Sequence, residues 1–367
     1  MAVIATIRDA IGDPRTALTP ATAAQFVKAG HEVLVHKGVG VAAGFDDASY
    51  TDVGASVVSA PEALKRAQVV LSVGRPPQSA LAALAPGAVL IAQLDSWADT
   101  ADLDKAAARG AHLLALEKVP RQISRAQSMD TLSSQASIAG YRAAIVAAQT
   151  YGRYFPMMVT AAGTAKPASV LVLGAGVAGL QAIATARRLG ARVSGYDVRP
   201  AAREEVTSMG ASFLTTTVTA VGEGGYAREL TAQEAAAQQE ELSAAIATFD
   251  VVIATAKVPG RTPPLLVTES TVAAMRRGCV LVDLASSELG GNIAGSVDGQ
   301  TVVTDGGVTV IGASAIAADM APAASDAFAR NVYAVASAVL MDGEVRVDPN
   351  DDVIGAMLWS TAKEVAQ

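Results

Sequence analysis

Val170-Leu-Val-Leu-Gly174-Ala-Gly176-Val-Ala-Gly179 opens a stretch that closes with Ala191-Arg-Val-Ser-Gly-Tyr-Asp197-Val-Arg199. A short apolar run rich in β-branched residues meets a glycine turn. A small-residue helical pattern follows to Leu189, and a second short strand ends on an acid. This is the pattern of a βαβ unit with a dinucleotide fingerprint. Gly174 permits the tight strand-to-helix turn. Gly176 lets the backbone approach a pyrophosphate, which then rests on helix N–H groups around Val177 and Ala178, at the positive end of the dipole. Gly179 lets the helix pack close to the strand. Asp197 lies 18 residues beyond Gly179, near the ~20 expected of an acid that binds the adenosine ribose. A carboxylate there favours NAD(H) by repelling a 2′-phosphate, whereas Arg199 beside it is able to accommodate one. Residues 167–186 carry no charge and are long enough to cross a bilayer. The fingerprint spacing of the glycines argues for the soluble reading.

Working outward, a chain of 367 residues suggests two domains. It is 51% hydrophobic and 17% charged, so a sizeable core is available, and the 4% of aromatics suits tightly packed α/β layers. The net charge of −7 is spread without a basic stripe, which excludes a nucleic-acid partner. A single cysteine, Cys279, permits no intrachain disulfide and fits a reducing compartment. Three scattered histidines make no ligand cluster, so no metal is expected. The N-terminus lacks a signal-peptide apolar core, and the expected location is cytoplasmic.

Before the fingerprint, strands are predicted over residues 2–7, 31–35, 69–73, 88–92 and 112–116. Helices are predicted from Pro20, capped by Thr19, and over 100–110. This alternation is a doubly wound layer. His31 and His36 flank a strand edge. A polar stretch follows at a strand end, Val119-Pro-Arg121-Gln-Ile-Ser-Arg125-Ala-Gln127-Ser-Met-Asp130-Thr-Leu-Ser133, and leads into a helix over 131–151. Asp130 suits a helix N-cap, and the loop is equally suited to positioning a ligand. Residues 156–168 read as a crossing into the second domain. After Asp197, a threonine-rich segment and Gly222-Glu-Gly224-Gly225-Tyr226 read as a lid tip, followed by a polar helix. A strand over 250–254 ends in Thr255-Ala256-Lys257, a place that commonly touches the nicotinamide half of a cofactor. Further strands are predicted over 280–284, 301–304 and 309–311, and a helix over 323–341.

With these residues in place, the chain resembles the soluble NAD(H)-binding alpha-1 subunits (domain I) of proton-translocating NAD(P) transhydrogenases, a family related to alanine dehydrogenase. The resemblance runs from Ala17-Leu-Thr-Pro20 to about Met341. Its most specific pieces are Ser124-Arg-Ala-Gln-Ser-Met-Asp130, Ala139-Gly-Tyr-Arg142, the run Gly174–Ala186, Asp197-Val-Arg199, Gly224-Gly-Tyr-Ala-Arg-Glu229 and Gly290-Gly-Asn292.

The resemblance implies an α/β fold of two doubly wound Rossmann-like domains with a cofactor cleft between them. It implies a discontinuous first domain, 1–135 plus about 320–367, and an NAD(H)-binding domain, 136–319, with a mobile loop at about 217–230. Gln127, Asp130 and Ser133 then hold the nicotinamide and its ribose and are the candidate catalytic residues. Asp197, Val198 and Arg199 hold the adenosine side, and Gly225 and Tyr226 close over NAD(H). Ala256 and Lys257 complete the cofactor-binding set. Hydride would pass directly between NADH here and NADP⁺ on an NADP(H)-binding partner subunit, with proton translocation in membrane-spanning subunits. The expected assembly is a homodimer, peripheral on the inner face of the cytoplasmic membrane through those partners.

The family arginine usually stands five residues before the glutamine. Here one residue is inserted, so Arg121 stands six before Gln127 and Gln122 occupies the five-back place. Either the loop bulges to restore Arg121, or Arg125 substitutes, or the contact is lost. Two other readings remain. An alanine dehydrogenase-like oxidoreductase would need a lysine near residues 72–76 and a histidine near 93–95, and neither is present. A non-catalytic NAD(H) sensor would bind without turnover.

Overall fold

The computed structural model describes residues 1–217, 231–257, 260–341 and 343–359. It divides into two compact units, residues 1–135 with 320–367, and residues 136–319.

The first unit is built on strands β1 (Val3–Thr6), β2 (Glu32–His36), β3 (Ser56–Val58), β4 (Val69–Leu71), β5 (Val89–Ala92) and β6 (His112–Ala115). They form one sheet in the order β3-β2-β1-β4-β5-β6, every pair parallel. This is the doubly wound order, with its topological switch between β1 and β4. Successive residues serve opposite faces, as the pleat requires. Ile4, Val69, Leu71, Val89 and Ile91 pack on one side. Ala5, Val70, Leu90 and Leu113 pack on the other. Both faces are covered, which explains the nearly unbroken apolar strands.

Helix Ala321–Val339 completes one of those faces, burying Phe328, Val332, Val335 and Val339 against it. Each such side chain contributes about 1.5–3 kcal/mol relative to exposure, so the first unit depends on a segment far along the chain. The tail adds a further closure. Leu358 bridges Leu114 antiparallel, Trp359 N donates to Leu113 O at 2.8 Å, and the Trp359 indole donates to Asp104. That covers the β6 edge, whose backbone groups would otherwise be open to another chain.

In the second unit, residues 156–168 do more than connect. They include an antiparallel hairpin, β7 (Met158–Thr160) and β8 (Gly163–Ala165). The unit's main sheet contains β9 (Ser169–Leu173), β10 (Arg192–Tyr196), β11 (Ser212–Phe213), β12 (Val251–Ala254), β13 (Val280–Asp283), β14 (Thr301–Val303) and β15 (Thr309–Gly312). The order is β11-β10-β9-β12-β13-β15-β14. All neighbours are parallel except β14, which pairs antiparallel with β15 at the edge. The intervening Asp305-Gly-Gly307, with Gly307 at φ +76°, turns the chain back as a hairpin where the sequence alone suggested only two more strands.

The uncharged stretch 167–186 is β9, the glycine turn and most of helix Val177–Arg188. Among the described residues, no helix is long and apolar enough to cross a membrane. The expected lid, including Gly225 and Tyr226, lies outside the described residues except for its first residue, Thr217. The backbone N–H of Thr217 donates to Glu241.

Candidate functional site

The glycine turn follows from close approach at two points and open space at a third. Gly174 adopts φ +93°, a conformation that suits glycine, and a Cβ there would meet Thr255 Oγ1 at 2.7 Å. A Cβ on Gly179 would stand 1.8 Å from Gly174 O, so nothing larger than hydrogen fits between helix and turn. Gly176, the N-cap of helix Val177–Arg188, has no atom within 4 Å of where its Cβ would be. The first N–H groups of a helix lack internal acceptors, and here they face space left open by Gly176. Val177 is exposed, whereas Gly140 of helix Thr131–Thr150 packs so tightly against Ala178 that a Cβ would come 2.0 Å from Ala178 O.

Asp197 stands at the end of β10, and its carboxylate is fully engaged. Oδ2 accepts from Ala175 N at 2.7 Å, and Oδ1 accepts from Arg199 N at 2.8 Å. The Arg199 guanidinium spans both oxygens at 3.0 Å and donates to Ala175 O at 3.2 Å. Burial raises the carboxyl's pKa, but the bonds from Arg199 and Ala175 outweigh it and hold the group below its ordinary range. Asp197 thus ties the strand end to the glycine turn, a task that sequence spacing does not reveal. Val198 is 58% exposed at the mouth of a cavity of about 190 Å³ that Asp197 and Arg199 also line. Arg203 shares it, stacked 4.9 Å over the Phe213 ring and donating to Thr215 Oγ1. Arg203 lies outside the motif, and no spacing rule singles it out.

Ala256 and Lys257 follow β12. Lys257 is exposed, and its backbone N–H donates to Thr255 O. Ala256 is held by Asn292, whose carboxamide accepts from Ala256 N at 2.9 Å and donates to Ala256 O at 3.1 Å and Pro264 O at 2.8 Å. Asn292 is fully buried. Asp283, also fully buried, anchors the loop that carries it, accepting from Ala285 N and Ile293 N. Burial pushes the Asp283 carboxyl up.

The polar loop of the first unit is built from side chains. Asp130 caps helix Thr131–Thr150 by accepting from Ser133 N at 2.9 Å, as its position suggested. Its other oxygen accepts from Arg121 Nε at 2.9 Å and Ser133 Oγ at 2.6 Å, and Arg121 Nη2 donates to Ser133 Oγ at 2.7 Å. Arg121, Asp130 and Ser133 line a cavity of about 540 Å³ together with exposed Gln127 and Gln122. The inserted residue therefore leaves Arg121 at the cavity. Arg125 turns away to an ion pair with Asp351 at 2.7 Å and a second with Asp352. That carboxylate pair lies in the tail, where no motif signalled it. No group of three or more His, Cys, Asp or Glu side chains suited to a metal occurs among the described residues.

Two family models match the chain: the N-terminal domain of alanine dehydrogenase/PNT over residues 9–139 and its C-terminal domain over residues 143–367. An NAD(P) transhydrogenase subunit alpha polypeptide of Rickettsia prowazekii is 40% identical over 366 residues, covering 98% of this chain and 94% of that protein. The crystal structure of transhydrogenase from Sinorhizobium meliloti superposes with a TM-score of 0.85 at 39% identity, covering 97% of each chain. The alanine dehydrogenase of Mycolicibacterium smegmatis is 31% identical over 281 residues, covering 75% of this chain and 70% of that protein.

Proposed function

The chain belongs to the alanine dehydrogenase/PNT family, and on that premise we propose that it is the NAD(H)-binding component of a proton-translocating NAD(P) transhydrogenase. In this reading hydride is exchanged between NAD(H) on this chain and NADP(H) on a partner subunit. Membrane-spanning subunits couple the exchange to proton movement. The chain works as a homodimer held at the inner face of the cytoplasmic membrane by those partners.

The observation that carries the reading is the Arg121–Asp130–Ser133 network beside Gln127, set in an open polar cavity whose lining residues include no unpartnered general base. Transfer between two nicotinamides requires orientation and exclusion of water, with no acid or base. Bound NAD(H) supplies the hydride chemistry. Gln127 orients the nicotinamide carboxamide. Asp130 and Ser133, tied together by Arg121, fix the ribose hydroxyls. The open backbone at Gly176 with Val177 and Ala178 takes the pyrophosphate. Asp197, Val198 and Arg199 hold the adenosine side, Ala256 and Lys257 border the cofactor at the end of β12, and Gly225 and Tyr226 close over it. Arg125 has no part in this set.

The dehydrogenase alternative gains no support. At Gly74, in the stretch where that chemistry needs a lysine, the nearest side-chain atom to a Cβ is Asp9 Oδ2 at 3.1 Å. The test is a hydride-transfer assay with the full chain and a purified NADP(H)-binding partner component, following reduction of an NAD⁺ analogue by NADPH. Turnover that requires both proteins supports the reading. NADH binding without turnover supports the sensor. Pyruvate- and ammonium-dependent NADH oxidation by the chain alone overturns the reading in favour of the dehydrogenase.

A further inference from the structure

Helix Ala321–Val339 does more than close the first unit's core. Ala126 and Met129 of the polar loop bury in the same cluster as Phe328 and Val332 of that helix. On the same helix, half-buried Asn331 reaches both sides of the loop. Its Nδ2 donates to Ser128 O at 2.7 Å, and its Oδ1 accepts from Ser134 Oγ at 2.7 Å. Ser128 directly follows Gln127, and Ser134 directly follows Ser133. Two turns earlier, Ala324 O accepts from Gln135 Nε2 at 3.0 Å, and Gln135 Oε1 in turn accepts from Arg15 at 2.8 Å. The helix thus grips the end of the loop at two levels, and only the Asn331 grip joins its two flanks.

We propose that Asn331 is a positioning residue for hydride transfer. It fixes the separation of Ser128 and Ser134, and with it the placement of Gln127 relative to Asp130 and Ser133. This rests on the reading of Gln127, Asp130 and Ser133 as the nicotinamide-holding set. The task needs one donor and one acceptor on a single short side chain, which a carboxamide provides. An aspartate of the same shape keeps the acceptor and sets a carboxylate oxygen against Ser128 O, where a donor is required. Loss of Asn331 costs little structure. The Ser134 hydroxyl keeps Thr131 O as an acceptor at 3.1 Å, and Ser128 is exposed, so water satisfies its carbonyl.

The test compares Asn331→Ala and Asn331→Asp with the natural full chain, in the presence of the NADP(H)-binding partner component. Three quantities are measured: the single-turnover transfer rate, the NADH dissociation constant and the melting temperature. Both variants are expected to lose about 10-fold in rate, as small misplacements of reacting groups do. NADH affinity and melting temperature should stay close to those of the natural chain. An unchanged rate in both variants overturns the inference, as does a rate loss matched by an equal loss of affinity or recovered in Asn331→Asp. If Asn331→Ala fails to fold, Asn331→Asp decides alone. Gln127→Asn is measured in parallel. If it cuts the rate and the Asn331 variants do not, the inference fails and the functional reading stands. If it leaves the rate unchanged, the functional reading fails and the inference with it.

Discussion

The glycine turn of the second unit and the polar loop of the first are built from opposite materials. At Gly174–Gly179 the backbone does the work, and side chains are excluded because there is no room for them. At Arg121–Ser133 the side chains do the work, each carboxylate, hydroxyl and guanidinium satisfied by another. The first arrangement tolerates almost no change in covalent shape. The second tolerates many shapes and few changes in hydrogen-bonding character. The two regions should therefore fail in different ways, the turn in stability and the loop in rate.

The largest expected effect falls on the turn. Gly179→Ala drives a methyl against Gly174 O and should cost about 3 kcal/mol or unfold the second unit, as overpacking of a tight site does. Gly176→Ala has open space and should change stability by no more than about 0.5 kcal/mol while weakening NADH binding. Thermal melts with and without NADH distinguish the two. Equal melting temperatures would erase the contrast.

On the loop, Gln127→Asn should lower single-turnover hydride transfer by about 100-fold with NADH affinity and melting temperature nearly unchanged. A drop in melting temperature would make the loop resemble the turn. The two arginines sharpen the point further. Arg121→Ala removes the tie between Asp130 and Ser133 and should slow transfer by about 10-fold. Arg125→Ala loses only its exposed pairs with Asp351 and Asp352 and should leave the rate within about 2-fold. Reversal of that order would move the family arginine's role to Arg125.

The smallest effect concerns pH. Asp197 is held below its ordinary value of 3.8 in the folded chain. The stability it contributes is therefore present above 3.8 and is lost as pH falls through the lower folded value. Asp197→Asn should remove about 1 kcal/mol at neutral pH and flatten that acid limb in denaturant titrations. An unchanged acid limb would mean that Arg199 does not stabilise the carboxylate.

The same contrast explains what was legible in the sequence. Steric exclusion leaves a fixed spacing, so Gly174, Gly176, Gly179 and the acid at 197 announced the second unit's turn. Alternating strands and helices announced both sheets, because parallel strands buried on two faces are short apolar runs. The polar loop has no such spacing rule, and its residues stood out only through family resemblance. Asn292 and Asn331 escaped notice because each acts through a carboxamide on a backbone far away in sequence. Arg203 escaped because its stack on Phe213 depends on two elements meeting. The antiparallel turn at β14 was hidden because an edge strand's direction is set by its loop and leaves its apolar pattern unchanged.

The first unit takes its last helix and its edge closure from residues beyond 320, whereas the second is one uninterrupted span. During synthesis, the later part of the chain is therefore the first able to finish folding. At ~5–20 residues per second, the earlier part waits about 10–40 s for its missing wall. Throughout that interval the apolar face of β1, β4 and β5 lacks Phe328 and Val332. The ribosome-bound protein is thus at its stickiest near its own beginning, and a chaperone that engages nascent chains would find its site there.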